Sequence, residues 1–303
     1  MTKYRVNKTK HVDQTKTVSF DFDGKSYHGF EGDTLASALL SNGVHLVGRS
    51  FKYHRPRGIM SSGSEEPNAI CQINEDTDLT EPNVRATEIE LYEGLKASSQ
   101  NCWPTVNFDI GGINNLISPF IPAGFYYKTF MWPKSFWKKI YEPLIRWSAG
   151  LGKSPTKPDP ELYAHKHVHC DVLIIGGGIS GIIASKIAAK NNLKTILIED
   201  KNILGGSTIF QKNENYKIND KYSGEWIGKE IAELKKLDNL TIKTRTSLAA
   251  YHSYNYLLAK ENISDHLPLD KRNGGIRQRL WKIRADKVIA VSYTHLRAHE
   301  TSG

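Results

Sequence analysis

Residues 170–200, CDVLIIGGGISGIIASKIAAKNNLKTILIED, constrain the fold of this chain more than any other stretch. The apolar run Val172 to Ile175 predicts a buried parallel strand, and a helix is expected from about Ser180 to Lys190. The segment KTILIE predicts a second strand that ends in Glu199. A strand, a glycine-rich turn, a helix and an acidic residue about twenty positions on form the pattern of a dinucleotide-binding unit. We therefore expect an α/β protein with a Rossmann-type FAD/NAD(P)-binding domain.

Each part of this pattern has a physical role. Gly176 permits the turn off the strand, Gly178 lets the backbone approach a pyrophosphate, and Gly181 lets helix and strand pack closely. The start of the helix offers free N–H groups to the phosphates. A carboxylate at Glu199 can accept both ribose hydroxyls, which favours NAD or FAD over NADP. A glycine-rich turn in an unrelated α/β protein is the alternative. The predicted cofactor-binding residues are Gly176, Gly177, Gly178, Ser180, Gly181, Glu199, Asp200, Gly205 and Gly206.

The N-terminal part has the pattern of a β-grasp ferredoxin-like module. Apolar and polar residues alternate around Asp23-Gly24, which predicts a hairpin. A short helix capped by Asp33 or Thr34 should follow and end at Asn42-Gly43. The segments NAICQIN and RATEIELYEG are candidate later strands.

The loop that would hold a cluster in a ferredoxin has no suitable cysteines. A plant-type [2Fe–2S] site needs C-x4-C-x2-C and a distant fourth cysteine. Residues 48–70 contain none, and the chain has three cysteines in all, Cys71, Cys102 and Cys170. We therefore expect no iron–sulfur cluster at this loop.

Composition sets broad limits on the class of protein. The chain has 303 residues, a formal net charge of +9, and 39% hydrophobic residues, which suits two globular domains. The polar N-terminus does not resemble a signal peptide, and no apolar run reaches the ~18 residues of a membrane helix, so a cytoplasmic protein without membrane contact is expected. No nucleophile–base arrangement is evident, so no catalytic residue is predicted.

Four segments are predicted. Residues 1–100 form the cluster-free ferredoxin-like module, 101–165 an interface segment and linker, 166–290 the incomplete dinucleotide domain, and 291–303 a tail. Aromatic residues are interleaved with lysines in the second segment, which favours a packing or subunit surface over nucleic-acid or membrane binding. The histidines of HKHVHC are expected to be a polar lead-in to a strand rather than a metal site. The tail, including HLRAHE, is similar to translated adapter sequence, not to a zinc helix.

Several long motifs carry a family resemblance. They are FDGKSYHGFEGDTLASALLSNGVHLVGRSFKYHRPRGI, SEEPNA, PAGFYYKTFMWP, CDVLIIGGGISG and RQRLWKIRADKVIA. Together they resemble the alpha subunits of heterotetrameric sarcosine oxidases over nearly all of residues 15–290. The resemblance implies a fragment of an oxidoreductase that acts on the CH–NH group of sarcosine with beta, gamma and delta subunits. It also implies NAD in this chain, with FAD as the alternative, FMN at the interface with the beta subunit, and a C-terminal half, absent here, that passes the one-carbon unit to tetrahydrofolate.

Two other functions stay open at this point. One is a subunit of a related amine, proline or opine dehydrogenase complex with FAD in the dinucleotide domain. The other is a basic RNA- or DNA-binding protein, which the dinucleotide pattern disfavours.

The basic loop near residue 50 raises a separate hypothesis. Arginine contacts phosphate in a bidentate manner, so the loop could bind the interface flavin phosphate or a subunit. The alternative is a solvated face, or ion pairs with Glu65 and Glu66. The residues concerned are Arg49, Lys52, Arg55 and Arg57.

Overall fold

The computed structural model describes residues 4–5, 12–75, 77–116, 118–120, 132–148, 152–210, 217–218, 220–272 and 274–291. The chain divides into two compact units. Unit 1 comprises residues 1–160 and 266–271, and unit 2 comprises residues 161–265 and 272–303. The predicted tail lies outside the described residues except for Val291, and so do residues 121–131 of the aromatic segment.

Unit 1 begins with the predicted hairpin. Strands β1 (Asp13–Phe22) and β2 (Lys25–Glu31) pair antiparallel, and Phe22 lies opposite Lys25. The turn residues Asp23 and Gly24 have φ of 51° and 72°, the left-handed conformations that a two-residue turn of this kind requires. The alternating apolar residues of β1 are buried on one face, so the hairpin prediction is confirmed.

The predicted short helix is also present, as α1 (Leu35–Ser41). The Thr34 side chain accepts the N–H of Ser37 and the Ser37 hydroxyl accepts the N–H of Thr34, which satisfies two free donors of the first turn. Leu35 and Leu39 are fully buried against the sheet. The helix ends at Asn42, followed by Gly43 with φ of 79°.

The remaining strands of unit 1 partly differ from the prediction. The five-stranded sheet has the order β2, β1, β7 (Leu95–Ser99), β5 (Ile70–Ile73) and β6 (Glu81–Arg85). The predicted strand in NAICQIN is β5, whereas RATEIELYEG contributes only its first residue to β6, and β7 was not predicted. The elements that follow α1 are β3 (Gly48–Arg49), β4 (Pro56–Arg57), β5 (Ile70–Ile73), β6 (Glu81–Arg85), β7 (Leu95–Ser99), α2 (Ile113–Leu116), a π-helical turn (Trp137–Tyr141) and α3 (Glu142–Ser148).

One buried carboxylate organises the loop between β4 and β5. Glu66 is 1% exposed. Its two oxygens accept four backbone N–H groups, those of Met60 and Ser61 at 2.8 and 2.6 Å and those of Asn68 and Ala69 at 2.8 and 3.1 Å. Burial alone would raise the pKa of Glu66, but these four hydrogen bonds stabilise the ionised form and lower the pKa below its ordinary value.

Unit 2 is built on a six-stranded sheet with the order β12 (Leu240–Lys243), β9 (Thr195–Ile198), β8 (Leu162–Ile175), β15 (Ile276–Ala290), β14 (Tyr256–Asn262) and β13 (Thr246–His252). Strands β12, β9, β8 and β15 are parallel to one another, while β14 pairs antiparallel with β15 and β13 pairs antiparallel with β14. The bounds are β8 (Leu162–Ile175), α4 (Ile179–Lys190), β9 (Thr195–Ile198), β10 (Lys217–Ile218), β11 (Lys221–Tyr222), α5 (Ser223–Leu234), β12 (Leu240–Lys243), β13 (Thr246–His252), β14 (Tyr256–Asn262) and β15 (Ile276–Ala290).

Both faces of the central strands are buried. Val172 and Ile174 pack with residues of α4 and α5, whereas Leu173 and Ile175 pack with β14 and β15 on the other face. Because both faces are buried, this strand needs apolar residues at successive positions rather than an alternation of apolar and polar residues. The strand also begins earlier than predicted, because residues 162–171 pair with the first half of β15. No helix within the described residues is both long and apolar enough to cross a membrane.

A first prediction concerns Glu66. Glu66→Gln should destabilise the protein by about 1–3 kcal/mol, because the amide cannot accept all four N–H groups. Since the pKa is lowered, the stabilisation by Glu66 is complete above the ordinary pKa of 4.5 and is lost as the pH falls through the lowered value. Thermal unfolding between acidic and neutral pH measures both effects. Glu65→Gln, at the exposed neighbouring position, is the control and should unfold like the wild type. Equal losses in the two variants would contradict this account.

Candidate functional site

The glycine-rich turn of unit 2 lies at the carboxyl end of β8. The N–H of Gly176 donates to the carbonyl of Ile198 at 2.9 Å, which holds the turn against the neighbouring strand β9. Gly176 has φ of 104°, a conformation that side chains rarely permit. Helix α4 then begins at Ile179, with Gly178 as its N-cap. The first N–H groups of this helix have no acceptor within the helix, so they are available to a negatively charged group.

The close approach of helix and strand is made at Gly181. A Cβ atom at this position would lie 1.8 Å from the carbonyl oxygen of Gly176. No side chain fits at that distance, so the third glycine of the pattern is required by packing, as its spacing predicts.

The carboxylate of Glu199 lies beside this turn. Its Oε2 atom accepts the N–H of Gly177 at 2.5 Å, and its Oε1 atom accepts the N–H of Lys201 at 3.1 Å. The side chain is buried, and burial is the largest of the effects that raise the pKa of Glu199 to about 7. A hydrogen bond with Asp200 and its charge add to the rise, while the two backbone N–H groups oppose it. Because folding raises this pKa, the folded state loses stability as the pH rises from 4.5 to about 7.

A second glycine pair completes the site. The N–H of Gly205 donates to the carbonyl of Gly177 at 2.8 Å, which ties the loop after β9 to the first turn. Gly206 has φ of 56°, and a Cβ there would lie 2.9 Å from the Cα of Gly178. The Thr208 hydroxyl donates to the carbonyl of Gly205 and holds this pair in place.

The structure brings together Gly176, Gly177, Gly178, Gly181, Glu199, Gly205 and Gly206. Ser180 and Asp200 are at its exposed edge. Leu204 and Val291 also lie beside this turn and were not predicted. The side chain of Leu204 would lie 2.4 Å from a Cβ at Gly177, and the carbonyl oxygen of Val291 would lie 3.0 Å from a Cβ at Gly176. Neither residue belongs to a recognisable motif, so only the three-dimensional fold identifies them.

In the basic loop of unit 1, the side chains of Arg49 and Arg55 donate hydrogen bonds to other residues of the chain. The guanidinium of Arg49 donates to the carbonyls of Val106, His54 and Asn107 at 2.8, 3.2 and 3.4 Å. Arg55 donates to the side chain of Asn115 at 2.9 Å. These contacts hold the segment after β7 against the loop.

His54 also holds the segment after β7 against this loop. His54 Nδ1 lies 2.7 Å from the fully buried carboxylate of Asp109, whose other oxygen accepts the N–H of Trp103 at 3.0 Å. Sequence reasoning missed this pair, because 55 positions separate its members.

Lys52 and Arg57 have different surroundings from Arg49 and Arg55. Lys52 Nζ lies 5.0 Å from the centre of the Tyr53 ring, and the guanidinium of Arg55 lies 4.9 Å from the same ring centre. Arg57 makes no hydrogen bond or ion pair through its side chain within the described part of the chain. The alternative of ion pairs with Glu66 is not observed, because backbone N–H groups occupy that carboxylate.

Comparisons with known proteins agree with two units. Residues 15–102 match the family model of a 2Fe-2S iron-sulfur cluster binding domain, and residues 171–267 match that of an FAD dependent oxidoreductase. Over 95% of its length the chain is 44% identical to the sarcosine oxidase subunit alpha of Rhizobium meliloti (strain 1021). The chain is homologous to sarcosine oxidase alpha subunits. The resemblance seen in the motifs is thereby confirmed.

Further similarities support this homology. The sarcosine oxidase subunit alpha of Corynebacterium sp. (strain P-1) is 29% identical over 94% of the chain. The chain spans 29% and 25% of the lengths of these two subunits. The structure of L-proline dehydrogenase from P. horikoshii superposes with a TM-score of 0.56 at 19% identity, covering 94% of this chain and 43% of that one. This last likeness shows a shared fold.

The cofactor expectations need two corrections. The dinucleotide domain matches an FAD dependent oxidoreductase, so the expected NAD is wrong and FAD-type binding is supported. Both dinucleotides carry the same adenosine diphosphate, so glycine spacing alone could not separate them. The expectation of no iron–sulfur cluster conflicts with the match of residues 15–102 to a 2Fe-2S binding domain. The interface FMN stays a prediction.

The described side chains of unit 1 lack the ligands that a 2Fe-2S cluster needs. Such clusters are usually held by four cysteine thiolates, whereas the chain has three cysteines. Burial raises the pKa of Cys71 to about 12, which opposes thiolate formation. Among the described residues no three His, Cys, Asp or Glu side chains are arranged to hold a metal ion. The residues described therefore do not fit the group that the family model names.

A second prediction concerns Gly181. Gly181→Ala should destabilise the protein by about 1–3 kcal/mol or more, because the methyl group collides with the Gly176 carbonyl. The control is Gly228→Ala in α5, where a Cβ meets nothing within 4 Å. That change should stabilise the helix by up to ~1 kcal/mol. Thermal unfolding followed by circular dichroism measures both, and an unchanged melting temperature for Gly181→Ala would show that the close approach is not rigid.

Proposed function

We propose that unit 2 binds FAD and that the chain functions within a sarcosine oxidase complex. The glycine turn of residues 176–181 would hold the pyrophosphate, and Glu199 would hold the adenosine ribose. The observation that carries this proposal is the position of the Glu199 carboxylate, 2.5 Å from the N–H of Gly177 at the ends of two adjacent parallel strands. Loops at the carboxyl ends of parallel strands are where α/β folds of the Rossmann type bind their ligands.

The turn supplies what a pyrophosphate needs. Gly178 has no side chain, and among the described residues the one atom within 4 Å of a Cβ placed there is the Cα of Gly206, at 3.9 Å. Phosphate oxygens can therefore approach the backbone. The positive end of α4 points to the same place and favours negative charge there.

Glu199 suits the ribose hydroxyls because it is buried and only partly satisfied. It accepts one N–H on each oxygen, while each carboxylate oxygen can accept about two hydrogen bonds. No cation neutralises it among the described residues. The two hydroxyls of a ribose would donate further hydrogen bonds to it.

The chemistry that FAD would supply when bound is the acceptance of a hydride. The residues of this chain bind and orient the cofactor through the adenosine diphosphate part. The wider proposal is the oxidation of the CH–NH group of sarcosine with beta, gamma and delta subunits and transfer of the one-carbon unit to tetrahydrofolate. Homology to sarcosine oxidase alpha subunits supports it.

FAD binding should depend on Glu199 and on pH. The ribose hydroxyls donate to the ionised carboxylate, so affinity should rise as the pH increases through about 7 and then become constant. Glu199→Gln should weaken binding about 10- to 100-fold at pH 8 and flatten the pH profile. Isothermal titration of the full chain with FAD between pH 6 and 8.5 measures both.

Gly228→Ala is the matched control for this experiment and should bind FAD as the wild type does. Equal affinity of Glu199→Gln and wild type at every pH would refute the ribose assignment. Absence of FAD binding by a folded wild-type chain would refute the cofactor assignment itself.

The reaction is tested on the assembled complex. Co-expression of a full-length version of this subunit with its candidate partners should give a complex that oxidises sarcosine, because the homology extends over 95% of the chain. Oxygen consumption with sarcosine, dimethylglycine and L-proline compares the substrates. Oxidation of L-proline but not sarcosine would assign the chain to a related dehydrogenase instead.

A further inference from the structure

We infer that unit 1 contains a site for a single oxyanion, the phosphate or carboxylate end of a ligand, centred on Arg57. The site is a cavity of about 110 Å³ beside strands β3 and β4. Its wall includes Gly48, Arg49, Ser50, Arg57, Asn68 and Asn101. This proposal concerns unit 1 and does not depend on FAD binding in unit 2.

The pairing of β3 with β4 creates the space. Gly48 is the register partner of Arg57 in this antiparallel pair. Side chains directly opposite each other project to the same face of such a pair, so a glycine leaves the region beside the Arg57 side chain open. A Cβ at Gly48 would lie 3.5 Å from the nearest atom, the carbonyl oxygen of Gln100, which is an ordinary contact. Packing therefore does not require glycine here.

Hydrogen-bond donors remain available in this cavity. Arg57 has no side-chain partner within the described residues, and no hydrogen bond of the Asn68 side chain is seen there either. The Ser50 hydroxyl accepts the N–H of Arg55 at 3.0 Å, which leaves its own hydrogen free to donate. A guanidinium, an amide and a hydroxyl together match the acceptors of one oxyanion.

The charge of the cavity is positive. Within the part of the chain that the structure describes, Arg49 in the cavity wall donates to backbone carbonyls and pairs with no carboxylate. No Asp or Glu lines the cavity as described. The nearby buried carboxylates are both engaged elsewhere, Glu66 with four backbone N–H groups and Asp109 with His54 and two N–H groups.

The size of the cavity limits the ligand. A volume of about 110 Å³ holds several water molecules, since one needs roughly 10–15 Å³ by this kind of measure. It is well below the roughly 300–1,000 Å³ of sites that enclose a whole small molecule. Only the charged end of a ligand would enter, and the exposed ring of Phe51 at the rim would face the rest of it.

The test compares two charge-removing variants of the same loop. Inorganic phosphate and, separately, acetate are titrated into the full chain at constant ionic strength, with chemical shifts or melting temperature as the readout. Arg57→Gln should weaken binding by at least about tenfold, the effect of losing a charge-assisted hydrogen bond. Lys52→Gln removes the same charge from outside the cavity and should leave the affinity unchanged.

A third variant keeps the proposal testable if Arg57→Gln does not fold. Asn68→Asp keeps the shape of the side chain and places a carboxylate in the cavity, so it should abolish binding while Arg57 remains. Tighter binding of phosphate than acetate would identify a phosphate ligand, and the reverse a carboxylate. Equal weakening by Lys52→Gln and Arg57→Gln would show that anion binding depends only on the net charge of the loop, and would overturn the proposal. Absence of saturable binding of both anions would also overturn it.

Discussion

The close approach of Gly181 to the carbonyl of Gly176, where a Cβ would lie 1.8 Å from the oxygen, sets the geometry of the site in unit 2. This contact allows α4 to start directly above the end of β8, and a helix placed there points its free N–H groups at the glycine turn. The neighbouring strand β9 runs parallel to β8 and ends level with it, so the residue after β9 reaches the same turn. The position of Glu199 beside Gly177 follows from these two packing constraints.

The same local chemistry explains how much could be predicted. The hairpin at Asp23-Gly24, the helix capped by Thr34 and the strand–turn–helix of residues 172–190 depend on neighbouring residues, and all were predicted. Elements held by distant partners were not. Strand β7 was missed because its pairing with β1 and β5 joins residues far apart in the chain. The first half of β8 was missed because its polar residues are in a strand only through pairing with β15.

The basic loop shows the same limit at the level of single side chains. Arg49, Arg55 and Arg57 looked equivalent in the sequence, since all three are arginines within nine positions. The fold gives them different partners. Arg49 and Arg55 bind carbonyl or amide oxygens of the segment that follows β7, whereas Arg57 lies beside an open cavity opposite Gly48. A cluster of cations in a loop therefore predicts positive charge, but only the tertiary contacts separate the structural arginines from one that is available to a ligand.

Two buried glutamates illustrate how hydrogen bonding separates a structural role from a binding role. Glu66 receives four backbone N–H groups, which satisfy the carboxylate and lower its pKa. Burial is the main reason that the pKa of Glu199 rises to about 7; the neighbouring Asp200 adds to the rise, and only two backbone N–H groups oppose it. A chain that only needed a folded turn would gain stability by supplying more donors to Glu199. The two hydroxyls of a ribose would be further donors, so a ligand would stabilise this carboxylate where the protein does not.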